Sequence, residues 1–206
     1  MSAPRKAILF DFGNVLVKWD LHTVFDRFFP DPEAVDAFLA EVSFLQWNAL
    51  QDKGRPFREG LAAISEQFPH YAHLFQYLDR HWSDSIREPI PGTVALAEKL
   101  KAAGYPLYIL TNSSAEKFPL ARQIHPFLAM FDDILVSGEI GMLKPDPAIF
   151  HYTLSRIHRT AEECIFIDDH LPNVEAAQGL GFNVIHFQSP GQLERQLKNL
   201  VLWESL

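Results

Sequence analysis

The chain's first apolar run, Ala7-Ile8-Leu9-Phe10, stops at an acid, Asp11. A short run with no polar interruption predicts a strand buried on both faces. After Asp11-Phe12-Gly13-Asn14-Val15 the period changes. Val35, Phe38, Leu39 and Val42 recur at helical spacing behind Asp31-Pro32, an N-cap followed by proline at the first helical position. Phe57, Leu61, Ile64 and Phe68 form a second stripe, and Tyr71, Leu74, Phe75, Leu78 and Trp82 a third. Gly54, Pro56 and Pro69 punctuate them. Residues 18–86 therefore predict an all-helical block. Glu88-Pro89-Ile90-Pro91-Gly92 reads as a rigid connector.

Beyond the connector, strand and helix alternate. Val94, Leu96, Ala97 and Leu100 predict a helix ending before Gly104, and Tyr105–Leu110 a strand. A helix over 115–124, a strand over Asp133–Val136 and a helix over Pro147–Ile157 follow. Thr160 and Glu163 have capping-box spacing, but the apolar run Cys164–Ile167 comes so soon that a turn into a strand is expected. Leu171–Gly179 reads as a helix, Asn183–His186 as a strand, and Leu193, Leu197 and Leu200 lie on a last helix starting near Pro190. Such alternation predicts an α/β fold with a Rossmann-like, mostly parallel sheet flanked by helices. The core would comprise 1–17 and 87–206, with 18–86 inserted as a helical cap over the carboxyl edge of the sheet.

Composition narrows the possibilities. The formal net charge of -8 speaks against nucleic acid or an anionic membrane as a partner, since both demand a basic face. The single cysteine, Cys164, has no internal disulfide partner and reads as inert and buried. The run after Met1–Lys6 is too short for a signal-peptide core, and no stretch reaches the ~20 apolar residues of a membrane span. The expected location is the cytoplasm. Oligomeric state is not readable.

Three predicted strands end in polar groups suited to one site: Asp11; Thr111, Asn112 and Ser113; and Asp168-Asp169. Open α/β sheets bind ligands at this edge. Lys144 precedes Pro145 in Gly141-Met142-Leu143-Lys144-Pro145-Asp146-Pro147, where prolines fix the backbone and open a helix. These four motifs resemble those of the haloacid-dehalogenase (HAD) superfamily of hydrolases. Within it the chain is similar to small capped sugar-phosphate phosphatases and to the phosphatase domain of soluble epoxide hydrolases.

The resemblance implies a Mg²⁺-dependent phosphatase acting on a small phosphorylated metabolite, with a sugar phosphate favoured and a sugar 1-phosphate possible. Asp11 would attack phosphorus and form an aspartyl-phosphate. Mg²⁺ would be held by the Asp11 carboxylate, the Gly13 carbonyl and the acids Asp168 and Asp169, with Asp169 binding directly and Asp168 through water or Lys144. Thr111 and the Asn112 N–H would hold phosphoryl oxygens. Lys144 would balance the carboxylates and steady the phosphoryl group. Asn173 would orient the second acid or a metal-bound water.

The chain departs from the family at Gly13, where the common pattern has a second aspartate that carries a proton to the leaving oxygen. General acid help of this kind is typically worth ~10²–10⁴ in rate. Three outcomes are open: the leaving group needs little protonation, as with an anomeric sugar oxygen or an acyl group; a cap residue substitutes, with Asp20, His22 and Asp52 as candidates; or the activity is slow. Trp47, Asn48, Asp52, Lys53, Gly54 and Arg55 form a polar-aromatic stretch at a turn of the cap, either a solvated loop or a substrate selector. Trp19 and His170 are expected to line the pocket at most. Leu202-Trp203 is expected to cover a sheet edge or a partner. Two alternatives remain: a metal-independent 2-haloacid dehalogenase, disfavoured by the acid pair, and a non-catalytic phosphate-binding protein of the same fold.

Overall fold

The computed structural model describes residues 5–201, so the expectation for Leu202-Trp203 lies outside the described residues. Strands β1 (Ala7–Phe10), β2 (Leu107–Thr111), β3 (Asp133–Val136), β4 (Cys164–Asp168) and β5 (Asn183–His186) form one parallel sheet in the order β3-β2-β1-β4-β5. β1 is central, with Phe10 opposite Ile109 on one side and Ile167 on the other. Its four residues are all buried, as an unbroken apolar run requires. The sequence runs outward from β1 to β3, then crosses back to β4. The strand order thus reverses beside β1, which opens a crevice at the carboxyl edge.

Side chains alternate across each strand, so the sheet feeds two cores. Ile8, Phe10, Ile109, Ile165 and Ile167 pack with Leu96, Ala97 and Leu100 of α6 (Pro91–Ala102) and with Leu193 and Leu197 of α11 (Pro190–Leu200). Ala7, Leu9, Leu110, Cys164 and Phe166 pack with Ile149, Phe150 and Ile157 of α9 (Pro147–Ile157) and Ala177 of α10 (Leu171–Gly179). Cys164 is fully buried, and burial pushes its thiol up to about 12.

From His22 to α6 the chain is helical: α1 (His22–Phe25), α2 (Pro32–Glu41), α3 (Phe44–Asp52), α4 (Phe57–Gln67) and α5 (Ala72–His81), joined and followed by short 3₁₀ segments. Asp31 caps α2 by accepting from the Ala34 N–H at 2.9 Å, with Pro32 opening the helix. The core of this block, including Phe25, Phe38 and Phe75, is continuous with that of one sheet face.

Several boundaries differ from the sequence expectation. The stretch around Trp47 is not a loop: α3 runs through it to Asp52, burying Trp47, Asn48, Gln51 and Asp52. The Trp47 indole N–H donates to the Gly60 carbonyl at 2.8 Å and packs against Phe57, which packs against Trp82. Gly54 then turns the chain at a φ of 106°, a conformation that favours glycine. β2 starts after Pro106, whose ring removes a ladder donor. α7 covers Phe118–Ile124, later than expected. Thr160 and Glu163 do form a capping box, around a one-turn 3₁₀ helix at Ala161–Glu163. A one-turn helix, α8 (Ser137–Ile140), follows β3 without an apolar signal.

Candidate active site

The ends of β1, β2 and β4 converge, as their positions in the sheet demand. Lys144 is 3% exposed, and its ammonium makes three contacts: Asp11 Oδ1 at 3.0 Å, Asp168 Oδ2 at 2.7 Å and the Leu110 carbonyl at 2.8 Å. These use all three of its donors. Asp168 is fully buried and saturated. It also accepts from the His170 N–H at 2.8 Å and, on both oxygens, from Asn173 Nδ2 at 3.0 and 3.1 Å. Asn173 therefore holds the first acid of the pair. The second, Asp169, receives a hydrogen bond from the Asn14 side chain. Asn14 sits in the left-handed region at a φ of 55°, and its Oδ1 accepts from the Trp19 N–H at 3.1 Å.

Asn112 has a structural task beside its position at the end of β2. Its side-chain amide donates to the Lys144 carbonyl and accepts from the Lys144 N–H, both at 2.9 Å. The end of β2 and the segment leading into α9 are thereby locked together. Thr111 is buried and, with Asn112 and Ser113, lines the same cavity as Asp11 and Asp169.

Asp11, Asp168 and Asp169 each offer a carboxylate oxygen within 4.8 Å of the others. The donor set is all oxygen, which suits a hard divalent cation. Asp168 already spends its oxygens on Lys144, Asn173 and His170, so Asp11 and Asp169 are the carboxylates left to face an ion. Burial pushes the Asp11 carboxyl up to about 7, with Lys144 opposing and Asp168 and Asp169 adding to the rise. Burial and Asp168 raise Asp169 as well. Burial is the larger cause of both shifts, and the neighbouring carboxylates add to it.

The cavity holds about 420 Å³. Its polar floor is the strand-end cluster. Phe12, Trp19, Trp82, Ile86 and Phe118 supply an apolar wall, and Asn48 and Asp52 of α3 a polar station within it. Trp19 and His170 line the cavity as expected. Lys117 lines it too, but its ammonium is held by the carboxylate and the carbonyl of Asp79 (the latter at 2.9 Å) and lies over the Phe57 ring. Asn14, Lys117 and Trp82 were not singled out as site residues from sequence. Asn14 alone carried a signal, as a polar residue inside the first motif. Asp20 and His22 lie elsewhere: Asp20 lines a separate cleft, and His22 faces Asp26 and Asp36 at 3.2 and 3.1 Å.

A doubly wound parallel sheet with clustered acids and a buried lysine at its carboxyl edge defines an α/β protein with a ligand site at that edge. A family model described as haloacid dehalogenase-like hydrolase matches residues 5–181, and the chain belongs to that family. It is 36% identical over 107 residues to the sesquiterpene phosphatase astK of Aspergillus oryzae, covering 52% of this chain and 55% of that protein. It is 24% identical over 177 residues to bifunctional epoxide hydrolase 2 of Mus musculus, covering 84% of this chain and 31% of that protein. The chain thus spans about half or less of the length of these relatives. In fold it resembles a HAD family enzyme of Bacteroides thetaiotaomicron in complex with magnesium and inorganic phosphate. That match has a TM-score of 0.68 and 23% identity over 90% of this chain and 96% of the other.

Proposed function

We propose that this hydrolase is a Mg²⁺-dependent phosphatase that cleaves the monoester of a small phosphorylated metabolite, with Asp11 as nucleophile. The observation that carries this reading is charge balance at the strand ends. Three carboxylates cluster there against one lysine ammonium, a deficit of two charges that one divalent cation would cancel. A dehalogenase that works without metal would have to bear that repulsion, so the acid pair supports the phosphatase over that alternative. A non-catalytic binder has only Gly13 in its favour.

Asp11, Asp169 and the Gly13 carbonyl would hold the cation, with Asp168 behind them on Lys144. The cation, when bound, neutralises the phosphate so that an anionic carboxylate can approach it. Asp11 Oδ1 accepts from the Phe12 N–H at 2.6 Å and meets Lys144, and these contacts hold the carboxylate in place for attack. The P–O bond to the organic group breaks and an aspartyl-phosphate forms, which water then hydrolyses. Thr111 and the Asn112 N–H would receive the phosphoryl oxygens. Lys144 fixes the nucleophile's rotamer and offsets the buried charge. Asn173 keeps Asp168 in place. Residues 18–86 would act as a cap domain over the 1–17 and 87–206 core, shielding the reaction from water. A cytoplasmic setting belongs to the same proposal; among the described residues no helix is long and apolar enough to cross a membrane.

A sugar phosphate fits the polar floor and the Asn48–Asp52 station. The wall of Phe12, Trp19, Trp82, Ile86 and Phe118 favours a second reading, in which the organic group is apolar, and the likeness to a sesquiterpene phosphatase supports it. Phosphate release with Mg²⁺ from glucose 1-phosphate, geranyl monophosphate and para-nitrophenyl phosphate tests both. Turnover of at least one is expected, falling by ~10³-fold or more in Asp11→Asn. No turnover of any, or full activity in Asp11→Asn, would overturn the function.

A further inference from the structure

Resting on the phosphatase reading, we propose that Asp52 is the proton carrier of the reaction, replacing the acid that Gly13 does not supply. Asp52 protonates the leaving oxygen and then takes a proton from the water that hydrolyses the aspartyl-phosphate.

The position of Asp52 is built rather than incidental. It ends α3, is 8% exposed, and lines the cavity that also contains Asp11. Its main chain is tied to the loop after β2: the Ser137 hydroxyl donates to the Asp52 carbonyl at 2.6 Å and accepts from the Ser113 N–H at 2.9 Å. Its carboxylate accepts from the Ser114 N–H and, at 2.8 Å, from Asn48 Nδ2. Asn48 is itself 6% exposed, and its Oδ1 is buried without a partner among the described residues. A buried acceptor in that state awaits a donor, and an incoming water or the newly formed alcohol can fill the role.

Burial pushes the Asp52 carboxyl up to about 7, and the Ser114 N–H opposes it only in part. The charged neighbours are engaged elsewhere. Lys117 is held by Asp79, Arg55 by Gln51 and the Trp47 carbonyl, and Glu116 accepts from the Phe57 N–H at 3.0 Å. Glu139 of α8 is exposed. A carboxyl that holds its proton near neutrality is suited to general acid work.

The step balances. Asp11 forms a bond to phosphorus as the ester P–O bond breaks, and the Asp52 proton goes to the departing oxygen, giving an alcohol and an Asp52 carboxylate. Water then attacks the aspartyl-phosphate, its proton returns to Asp52, and Asp11 and inorganic phosphate are released.

Leaving-group dependence tests this. Para-nitrophenolate departs without help, whereas an unsubstituted phenolate departs poorly. In Asp52→Asn, kcat on phenyl phosphate should fall by ~10²–10⁴-fold, and on para-nitrophenyl phosphate by less than about tenfold. A Cβ at Gly13 would meet Trp19 Cβ at 3.7 Å, an ordinary contact, so the backbone there admits a side chain. Gly13→Asp in the Asp52→Asn background should restore phenyl phosphate hydrolysis. An equal loss on both esters, no loss on either, or no rescue would overturn the role of Asp52 while leaving the phosphatase reading intact. A wild-type protein inactive on both esters and also on glucose 1-phosphate and geranyl monophosphate would remove that reading and this inference together.

Discussion

Asp52 also makes a prediction that needs no substrate. Its carboxyl is raised from 3.8 to about 7 on folding, chiefly by burial. The folded chain therefore keeps a proton that the unfolded chain loses near pH 4. Stability from this group is fully present below about pH 4 and is lost as pH rises through about 7. Asp52→Asn cannot ionise, so the variant should gain on the wild type by roughly 2–3 kcal/mol between about pH 5 and about pH 8. Urea unfolding of both proteins at the two pH values measures it; parallel responses would contradict the burial argument. At this scale the sequence shows the residue types that phosphate chemistry demands, namely Asp11, Thr111 and the acid pair at strand ends and Lys144 just before α9. It does not show their supports. Asn112 clamps Lys144 across 32 positions and Ser137 reaches Asp52 across 85, and no local pattern encodes either contact.

The elements differ in how openly their patterns announce them. The strands are apolar runs ending at turns, and all five were readable. α3 was not, because its polarity is inverted: Asn48, Gln51 and Asp52 face inward while Leu45 and Leu50 are 63% and 49% exposed. Helical periodicity marks only apolar stripes, and this helix turns polar groups to the cavity instead. α8 was invisible for another reason, being one turn set by a backbone contact. A Cβ on Gly138 would lie 2.5 Å from the Ala115 nitrogen and 2.8 Å from the Ser113 carbonyl oxygen. Neither backbone atom can yield cheaply. Gly138→Ala should destabilise by about 1–3 kcal/mol and disturb the loop that carries Ser113 and Ser114. Gly179, at the end of α10, has nothing within 4 Å of its Cβ position and no positive φ. Gly179→Ala should be neutral or stabilising by up to ~1 kcal/mol. Urea midpoints of the two variants decide, and equal behaviour would refute the close approach of α8 to the β2 loop.

For the molecule as a whole, the arrangement of strands brings acids distant in sequence to one edge, and folding concentrates a negative charge that the unfolded chain disperses. Asp11 follows β1 and Asp168 ends β4, two strands paired side by side, so their proximity is a property of the topology and not of either segment. Under the proposed reading, the native fold alone offers a divalent cation its site. A ligand that binds only the native state stabilises it by RT ln(1 + [L]/Kd), about 2.7 kcal/mol at a hundredfold excess over Kd. For a chain of this length that corresponds to a rise of about 5–10 °C in Tm. Mg²⁺ should produce such a rise in the wild type and in Asp52→Asn, which leaves the acids untouched, but not in Asp169→Ala. Differential scanning fluorimetry with and without a chelator reads it without any turnover. A wild-type Tm indifferent to Mg²⁺ would mean that Lys144 alone neutralises the cluster, and the charge-balance argument for a metal-dependent phosphatase would fail with it.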